Sequence, residues 1–413
     1  MEATKKILVG MSMVALIVFG FFALWYVFFR SPNTTTSTPG STTIKNSQSF
    51  TTGTTQTGET PISTQPIDST GINPEQKIFK IADGPVIAAT FIQFSNPTTT
   101  LIRYTKQDSG HVFDIPVNVQ GAIARVVSNT TIPGLATGLW LSGGRGTIVQ
   151  YEENHVIKSV VLGFPSGNSV TATTSVSVNF LPNNIVGVAA SPDGKFIAYL
   201  VPVSTGVTGY IANTNGTNAK QLFSIPFSQV LLSWPSQKTL LVQTKEASDV
   251  PGIAFSVSTK GSISPLLFAK SLSATANGTF SKVVYQSTQS ADELRQTFVH
   301  DVKNGKDELL PFNPFPEKCI WSETVTTSMY CAAPLASTPA NYLDLWHQGL
   351  ISAADSVFLF DVSSNTTSLV AQPGSAQGGV QADIDQLAIS PDQQYLLFIT
   401  RGDRTLWGVK IGH

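Results

Sequence analysis

The two cysteines of the chain, Cys319 and Cys331, are the side chains whose spacing most directly suggests chemistry. They lie in KCIWSETVTTSMYC, and a turn centred on Val325 would place them opposite each other on antiparallel strands. Opposed strand residues lie at a separation that a disulfide accepts, so a structural disulfide is the first interpretation. Two buried free thiols are the second. A redox or metal role is the third, although no nearby histidine or third thiol completes a metal site.

A segment from about residue 334 to residue 355 carries aromatic side chains at helical spacing. Thr338-Pro339 predicts the start of a short helix and Gly349 predicts its end. Such an apolar stripe either covers a local gap in the fold or presents an aromatic anchor to a partner. The stripe consists of Tyr342, Leu345 and Trp346.

A second candidate segment runs from Arg401 to Arg404 and begins with the triplet Arg-Gly-Asp, which integrins bind. Glycine and aspartate are also the residues that a tight hairpin turn requires, so we expect a turn rather than an adhesive motif. Together the two segments supply a hypothetical binding set. Its members are Tyr342, Trp346, His347, Arg401, Asp403 and Arg404.

Few other residues point to catalysis. The sequence contains no GxSxG, HExxH or phosphate-loop motif and no cysteine–histidine cluster, and its 5 histidines are scattered. We therefore predict no catalytic motif, no metal site and no cofactor. An axial site in a ring-shaped fold would have no local motif, and Asp383 and Asp385 could belong to one. A net charge of -1 and a charged fraction of 12% argue against nucleic acid as a partner.

A repeated strand–turn–strand motif must position these residues. AASPDGKFIAYL, from Ala189 to Leu200, is two apolar runs joined by a turn in which Gly194 tolerates positive φ. LAISPDQQYLLFIT, from Leu387 to Thr400, is a second copy. Aligned on the first turn position, seven units follow at intervals of 42 to 49 residues, with a last interval of 68. The aligned positions are Ser95, Ser142, Ser191, Ser233, Ala276, Ser322 and Ser390.

A second set of hairpin turns runs in step with the first, so each unit predicts four strands, A to D. The turn pairs at equivalent places in four units are Asn215-Gly216, Lys260-Gly261, Asn304-Gly305 and Ser364-Asn365. A period of about 40 to 50 residues with four strands is typical of a propeller blade. We predict an all-β, seven-bladed β-propeller over residues 77–413, with six or eight blades as the alternatives. The run 77–83 would supply the missing fourth strand of the last blade and close the ring.

The repeats SPDGKFIAYL and SPDQQYLLFI resemble those of TolB-type propellers, relatives of the WD-type repeat. The cysteine pair and the segment LDLWHQGLISAAD are also similar to uncharacterised bacterial proteins with a membrane anchor, a Thr-rich stalk and a propeller. This resemblance implies an extracytoplasmic location and a binding or scaffolding role. It implies no reaction.

The topology of a blade predicts which loops lie together. The A–B and C–D turns emerge on one face of a propeller, so the B–C loops and the insertion at 334–355 emerge on the other. Charged B–C loops in three blades would surround the insertion. Their charged residues are Lys245, Glu246 and Asp249, then Asp292, Glu293 and Arg295, then Arg401, Asp403 and Arg404. This face is either a binding surface or simply the place where charges are best solvated.

The amino-terminal region predicts a membrane anchor and a tether. Ile7 to Phe29 contains no charge and is long enough as a helix to span a bilayer core. The positive-inside rule leaves residues 1–6 as a cytoplasmic tail and the rest outside the cell membrane. Residues 30–76 are rich in Ser, Thr, Pro and Gly and read as a disordered tether.

These features favour a non-catalytic, membrane-anchored propeller that binds an envelope protein or glycan. The first alternative is a hydrolase or lyase with an axial site, which carboxylates or histidines at the central channel would favour. A receptor-like sensor is the other alternative. The sequence does not indicate the oligomeric state.

Overall fold

The computed structural model describes Ile72 and residues 75–95, 98–164, 176–288, 295–336, 338, 341–375 and 382–412. The predicted cytoplasmic tail, membrane helix and almost all of the predicted tether lie outside these residues, so those predictions stay untested. Among the described residues, no helix has the length and apolar character needed to cross a bilayer.

The described chain forms seven antiparallel sheets of 4 strands each, and neighbouring sheets contact one another in a closed ring. The predicted seven-bladed β-propeller is therefore confirmed. Blades one to three contain β2 (Val86–Ser95), β3 (Thr98–Lys106), β4 (Val112–Pro116), β5 (Arg125–Ser128), β6 (Leu135–Trp140), β7 (Gly146–Glu153), β8 (Val156–Gly163), β9 (Ser177–Phe180), β10 (Gly187–Ala190), β11 (Phe196–Val203), β12 (Gly206–Asn213) and β13 (Lys220–Ile225).

The remaining blades follow the same A-to-D order. Blades four and five contain β14 (Val230–Ser236), β15 (Thr239–Thr244), β16 (Pro251–Ser258), β17 (Ile263–Lys270), β18 (Ser273–Ala276), β19 (Lys282–Thr288), β20 (Arg295–Asp301) and β21 (Lys306–Leu309). Blades six and seven contain β22 (Cys319–Trp321), β23 (Ser328–Pro334), β24 (Asp355–Asp361), β25 (Thr366–Ala371), β26 (Ile384–Ile389), β27 (Tyr395–Thr400), β28 (Leu406–Lys410) and β1 (Ile78–Ala82).

The first strand of the ordered fold closes the ring, as the sequence predicts. β1 pairs antiparallel with β28 through Ile78 opposite Val409 and Lys80 opposite Trp407. Phe79 is buried in a cluster that also contains Ile102 of blade one, so the closure joins the two ends of the propeller through a common core. The outer edge of β28 is thereby paired rather than exposed.

The A–B turns of blades three and seven are held by their own side chains. The Ser191 hydroxyl donates to Asp193 Oδ1 at 2.7 Å and accepts the N–H of Phe196 at 2.9 Å. Gly194 follows with a φ of 68°, a conformation that glycine adopts without strain. The Ser390 turn repeats this pattern, with Asp392 in the place of Asp193. Each turn satisfies its polar groups within a few residues, which explains why a sequence repeat can specify it.

Blade six contains both the disulfide and the insertion. Cys319 of β22 lies opposite Cys331 of β23, and the two form a disulfide with a Cα–Cα distance of 4.1 Å, as the first interpretation of their spacing predicts. Between β23 and β24, the described residues of the insertion form one short α-helix and no strand. This helix is α1 (Tyr342–His347). The other helical elements of the described chain are three 3₁₀ helices, at Ser142–Gly144, Pro316–Lys318 and Pro373–Ser375.

Candidate functional site

The insertion lies against the B–C loops of other blades, on what we call the insertion face: the face that carries residues 335–354, the B–C loops and the D–A connections. The N–H of Ser248, in blade four, donates to Asp344 Oδ1 at 2.9 Å. Arg401, in blade seven, donates to the carbonyl oxygen of His347 at 3.2 Å. The predicted convergence of these segments on one face is therefore observed. Asp292 and Glu293 of the blade-five loop lie outside the described residues.

Helix α1 covers the ends of the inner strands with its aromatic side. Tyr342, Leu343 and Trp346 are buried, and the Tyr342 ring stacks on Phe315 with centroids 4.8 Å apart. The helix spans Tyr342–His347, and the first turn predicted at Pro339 lies outside the described residues. Leu343 takes the buried place predicted for Leu345, which is only half-buried. Gly349 ends the segment with a φ of 72°, as predicted.

A buried ion triad lies beneath α1. Lys318 Nζ donates to Asp355 Oδ2 and to Asp383 Oδ1, both at 2.8 Å, and its side chain is 1% exposed. Asp355 also accepts the N–H of Ile384 at 2.9 Å. Burial raises the pKa of Asp355, and the charge of Lys318 opposes that effect. Because each ion depends on the others for compensation, the triad fixes the starts of three strands relative to one another.

The Trp346 indole links this triad to the blade-seven loop. Its Nε1–H donates to both carboxylate oxygens of Asp383, at 2.9 and 3.0 Å. Lys318 Nζ lies 4.3 Å from the ring centroid, and the Arg401 guanidinium carbon lies 3.9 Å from it. Two cations thus contact one desolvated ring, a favourable arrangement for cation–π attraction.

A second polar cluster lies beside the triad and consists of Glu246, Glu317 and His347. One carboxylate oxygen or ring nitrogen from each lies within 4.8 Å of the other two. His347 Nε2 lies 3.4 Å from Glu317 Oε1, and both side chains are about a quarter exposed, at 28% and 26%. Glu246 is 7% exposed, and neither of its carboxylate oxygens has a hydrogen bond of acceptable geometry.

The electrostatics of this cluster differ from those of exposed carboxylates. Burial, followed by the charge of Glu317, raises the pKa of Glu246 well above its usual range. Burial raises the pKa of Glu317 to about 7. Burial also lowers the pKa of His347, with the nearby charges of Lys245 and Arg401 acting in the same direction. Near neutral pH the cluster can therefore offer a neutral imidazole and two carboxyl groups that gain from a cationic partner.

Arg295 borders the cluster but forms no ion pair within 4.0 Å with the carboxylates that the structure describes. Its guanidinium carbon lies 4.3 Å from the Phe315 ring centroid, and one of its terminal nitrogens donates to the Thr338 hydroxyl. Nε and the other terminal nitrogen are buried without a hydrogen bond. Burial lowers the pKa of Arg295 to about 10, which leaves the group cationic at neutral pH.

The six predicted binding residues separate into different environments. Tyr342 and Trp346 are 3% exposed and pack the insertion onto the fold, which is the first of the two roles that their spacing left open. Direct contact with a partner stays a prediction. Arg404 donates to Asp385 at 2.6 Å and to the carbonyl of Ile87 at 3.0 Å, which ties blade seven to blade one. Each of these side chains already has partners within the chain.

The other three candidates keep some contact with solvent. Asp403 is exposed, but its carboxylate accepts the N–H and the hydroxyl of Thr405, as expected for a turn residue. Arg401 and His347 are half-buried. The exposed part of the predicted set is therefore small.

Three residues at the centre of the site were not predicted: Glu317, Lys318 and Asp355. Each lies directly before or at the start of a strand, in the segments PEKCIW and ADSVFLF. The sequence does carry a signal for them: each is a charged residue beside an apolar strand, in a chain that is only 12% charged. Asp383, the axial candidate named from sequence, does join Lys318.

A cleft of about 580 Å³ opens beside the triad, between the insertion and blades six and seven. Its lining includes Leu335, Tyr342, Ile351, Ala353 and Ala382, with Ser352 and Ser356 as polar members. The cleft is thus mainly apolar, and it opens on the insertion face.

Comparisons with known proteins bear on the fold. No protein-family model matches the chain, and no curated protein matches it. Among solved structures, the chain is similar to an oligogalacturonate lyase in complex with manganese (13% identity, 81% of this chain, 99% of that chain, TM-score 0.51). It also matches TolB from Acinetobacter baumannii (9% identity, 68% of this chain, 62% of that chain, TM-score 0.42). A chain of a mitotic checkpoint complex matches too (11% identity, 83% of this chain, 96% of that chain, TM-score 0.49). At 13% identity the likeness to the lyase bears on the fold alone and shows nothing about activity.

Proposed function

We propose that this protein is a membrane-anchored, extracytoplasmic β-propeller that binds an envelope protein through its insertion face. The observation that carries the proposal is the fixed attachment of the insertion to several blades. Hydrogen bonds from Ser248 and Arg401, together with the buried Trp346, hold residues 341–353 against blades four, six and seven. A surface that is pre-ordered in this way loses little conformational entropy when a partner binds.

The chemistry of the rim favours a protein over a glycan. The exposed large apolar side chains on this face include Val250 at 54%, Leu335 at 61% and Leu350 at 66%. The adjoining cleft is also mainly apolar. Protein partners bury apolar side chains in the centre of an interface, so this rim suits a protein with apolar anchor residues.

Site-specific crosslinking tests the surface. A photoreactive residue at position 350 of the full chain, expressed in its native cells, should form a defined adduct with an envelope protein. Val250→Asp should weaken that adduct several-fold, because it places a charge within the rim. The matched control is position 123, where Ile123 is 63% exposed in a C–D connection on the opposite face. The proposal fails if position 350 gives no adduct, or if position 123 gives the same one.

The membrane orientation needs its own test. Protease added to intact cells should remove an epitope placed after His413 and leave an epitope placed before Met1 intact. Protection of both epitopes would contradict the predicted outside location of the propeller.

One observation favours the enzyme alternative, a hydrolase or lyase with an axial site. Glu246, Glu317 and His347 converge beside the starts of the inner strands β18, β22 and β26, where an axial site would lie. Peptide and polysaccharide substrates should be assayed with the full chain and with Glu317→Gln. A turnover that the variant loses while it keeps its thermal stability would replace the binding proposal.

A further inference from the structure

The cluster of Glu246, Glu317 and His347 has the composition of a cation site. The three residues come from the blade-four B–C loop, the 3₁₀ turn before β22 and the end of α1. We propose that they bind one divalent transition-metal cation of the zinc class. The sequence predicted no metal site, since the ligands are separated by 71 and 30 residues and form no local motif.

The unpartnered carboxylate of Glu246 is the observation that points to a ligand. A buried carboxylate without hydrogen bonds is costly, and native structures rarely leave one uncompensated. The two internal candidates for compensation are poorly placed. Arg295 stacks on Phe315 and donates to Thr338, and the Ser273 hydroxyl beside Glu246 can supply only one proton. A cation between Glu246 and Glu317 would compensate both carboxylates at once.

The distances fit a small cation. Two ligand atoms that each lie about 2.0 to 2.1 Å from a tetrahedral zinc ion are about 3.3 Å apart. His347 Nε2 and Glu317 Oε1 are already 3.4 Å apart, and the third ligand atom lies within 4.8 Å of both. Nε2 is buried and makes no hydrogen bond of acceptable geometry, so no protein donor or acceptor occupies the position that a cation would take.

The donor set selects the class of cation. One imidazole nitrogen with two carboxylates suits zinc and its transition-metal neighbours, whereas calcium requires six to eight oxygen ligands and magnesium usually retains several waters. Three protein ligands leave a fourth position for water, and the side chains of His347 and Glu317 are each about a quarter exposed, at 28% and 26%. The cation would tie α1 to blades four and six at the insertion face.

Titration with zinc chloride tests the site. The untagged full chain, stripped with a chelator and held in detergent, should bind one equivalent of zinc in a calorimeter, and its Tm should rise with zinc. Glu246→Gln should reduce the affinity for zinc at least about tenfold. Mutation of residues that only hydrogen-bond to metal ligands already costs about that much, and Glu246 would be a ligand itself. Its zinc-free Tm should not fall, because glutamine keeps the shape of the side chain and cannot carry a charge at this buried position.

Two further variants complete the test. His347→Gln should lose the same zinc-dependent rise in Tm, and Asp249→Asn should keep it. Asp249 lies in the same loop as Glu246 but is 62% exposed and pairs with Lys270 at 2.6 Å, so it is the matched control. The proposal is overturned if the wild type binds no zinc, if both ligand variants bind as the wild type does, or if calcium binds as tightly as zinc.

Discussion

The carboxylates on the two faces of the propeller lie in opposite kinds of environment. On the face of the A–B and C–D turns, Asp193, Asp301 and Asp361 each accept hydrogen bonds from nearby residues, and their pKa values are lowered. On the insertion face, Glu246, Glu317 and Asp355 are desolvated by distant segments, and their pKa values are raised.

This difference indicates which face is more suited to binding a ligand. A turn whose carboxylate is satisfied within a few residues is stable by itself and has little left to offer a ligand. A carboxylate that tertiary packing has buried depends on partners from elsewhere, and its stability is linked to whatever compensates its charge. Asp403 marks the limit of the contrast: it lies on the insertion face, yet a tight turn satisfies it, and its pKa is lowered.

The largest expected loss of stability comes from a substitution that breaks the buried triad. Lys318→Met should destabilise the protein by about 3 to 5 kcal/mol, because Asp355 and Asp383 would remain buried without their cation. The free energy of unfolding from a urea titration measures the loss. Lys195→Met is the control on the other face, since Lys195 is 73% exposed and should change stability by less than about 0.5 kcal/mol. Equal effects at the two positions would remove the contrast between the faces.

The second effect concerns the disulfide that holds the start of β22, from which Glu317 and Lys318 extend. Replacement of Cys319 and Cys331 with serine should cost about 3 kcal/mol, the loop entropy expected for a separation of 12 residues. Urea titrations with and without reductant measure it. The chain has 2 cysteines, so reductant should shift the wild type and leave the double variant unchanged. A wild type insensitive to reductant would contradict this role.

A smaller effect is expected from the repeated turn. Ser191→Ala removes a buried hydroxyl that donates to Asp193 and accepts the N–H of Phe196. The expected cost is about 1 to 2 kcal/mol. The equivalent substitution Ser390→Ala should give a similar value, because its turn has the same hydrogen bonds. Values that differ by much more than the experimental error would show that the two turns are not equivalent.

The smallest expected effect is the pH dependence of the stability that the Lys282–Asp301 ion pair contributes. Lys282 donates to Asp301 at 2.9 Å and holds the pKa of Asp301 at about 2 in the folded protein. An unfolded aspartate has a pKa of about 3.9, so this stabilisation is present above that pH and is lost as the pH falls towards 2. The difference in stability between wild type and Asp301→Asn should therefore shrink between pH 5 and pH 2. A difference that stays constant or grows over this range would contradict the assigned pKa.

Much of the architecture follows from the sequence alone. Ser-Pro-Asp turns and Asn-Gly hairpins are local signals, and their common period indicated seven blades. The missing fourth strand of the last unit indicated the closing strand β1, and the symmetric spacing about Val325 indicated the opposition of Cys319 and Cys331. The insertion was also placed correctly on the face of the B–C loops, because the order of strands in a blade dictates where each loop emerges.

Only the tertiary structure decided which side chains form the site. Lys318 meets Asp355 and Asp383 across 37 and 65 residues, and Glu246 approaches Glu317 and His347 from two blades away. Helical spacing left open whether Tyr342 and Trp346 cover a gap in the fold or contact a partner, and the structure buries their rings against Phe315 and Lys318. The hydrogen bonds of a turn form between residues that are close in sequence, whereas the desolvation of a side chain depends on every segment that packs near it. That is why the sequence alone determined the propeller and its turns, and the fold decided where its charged groups lose water.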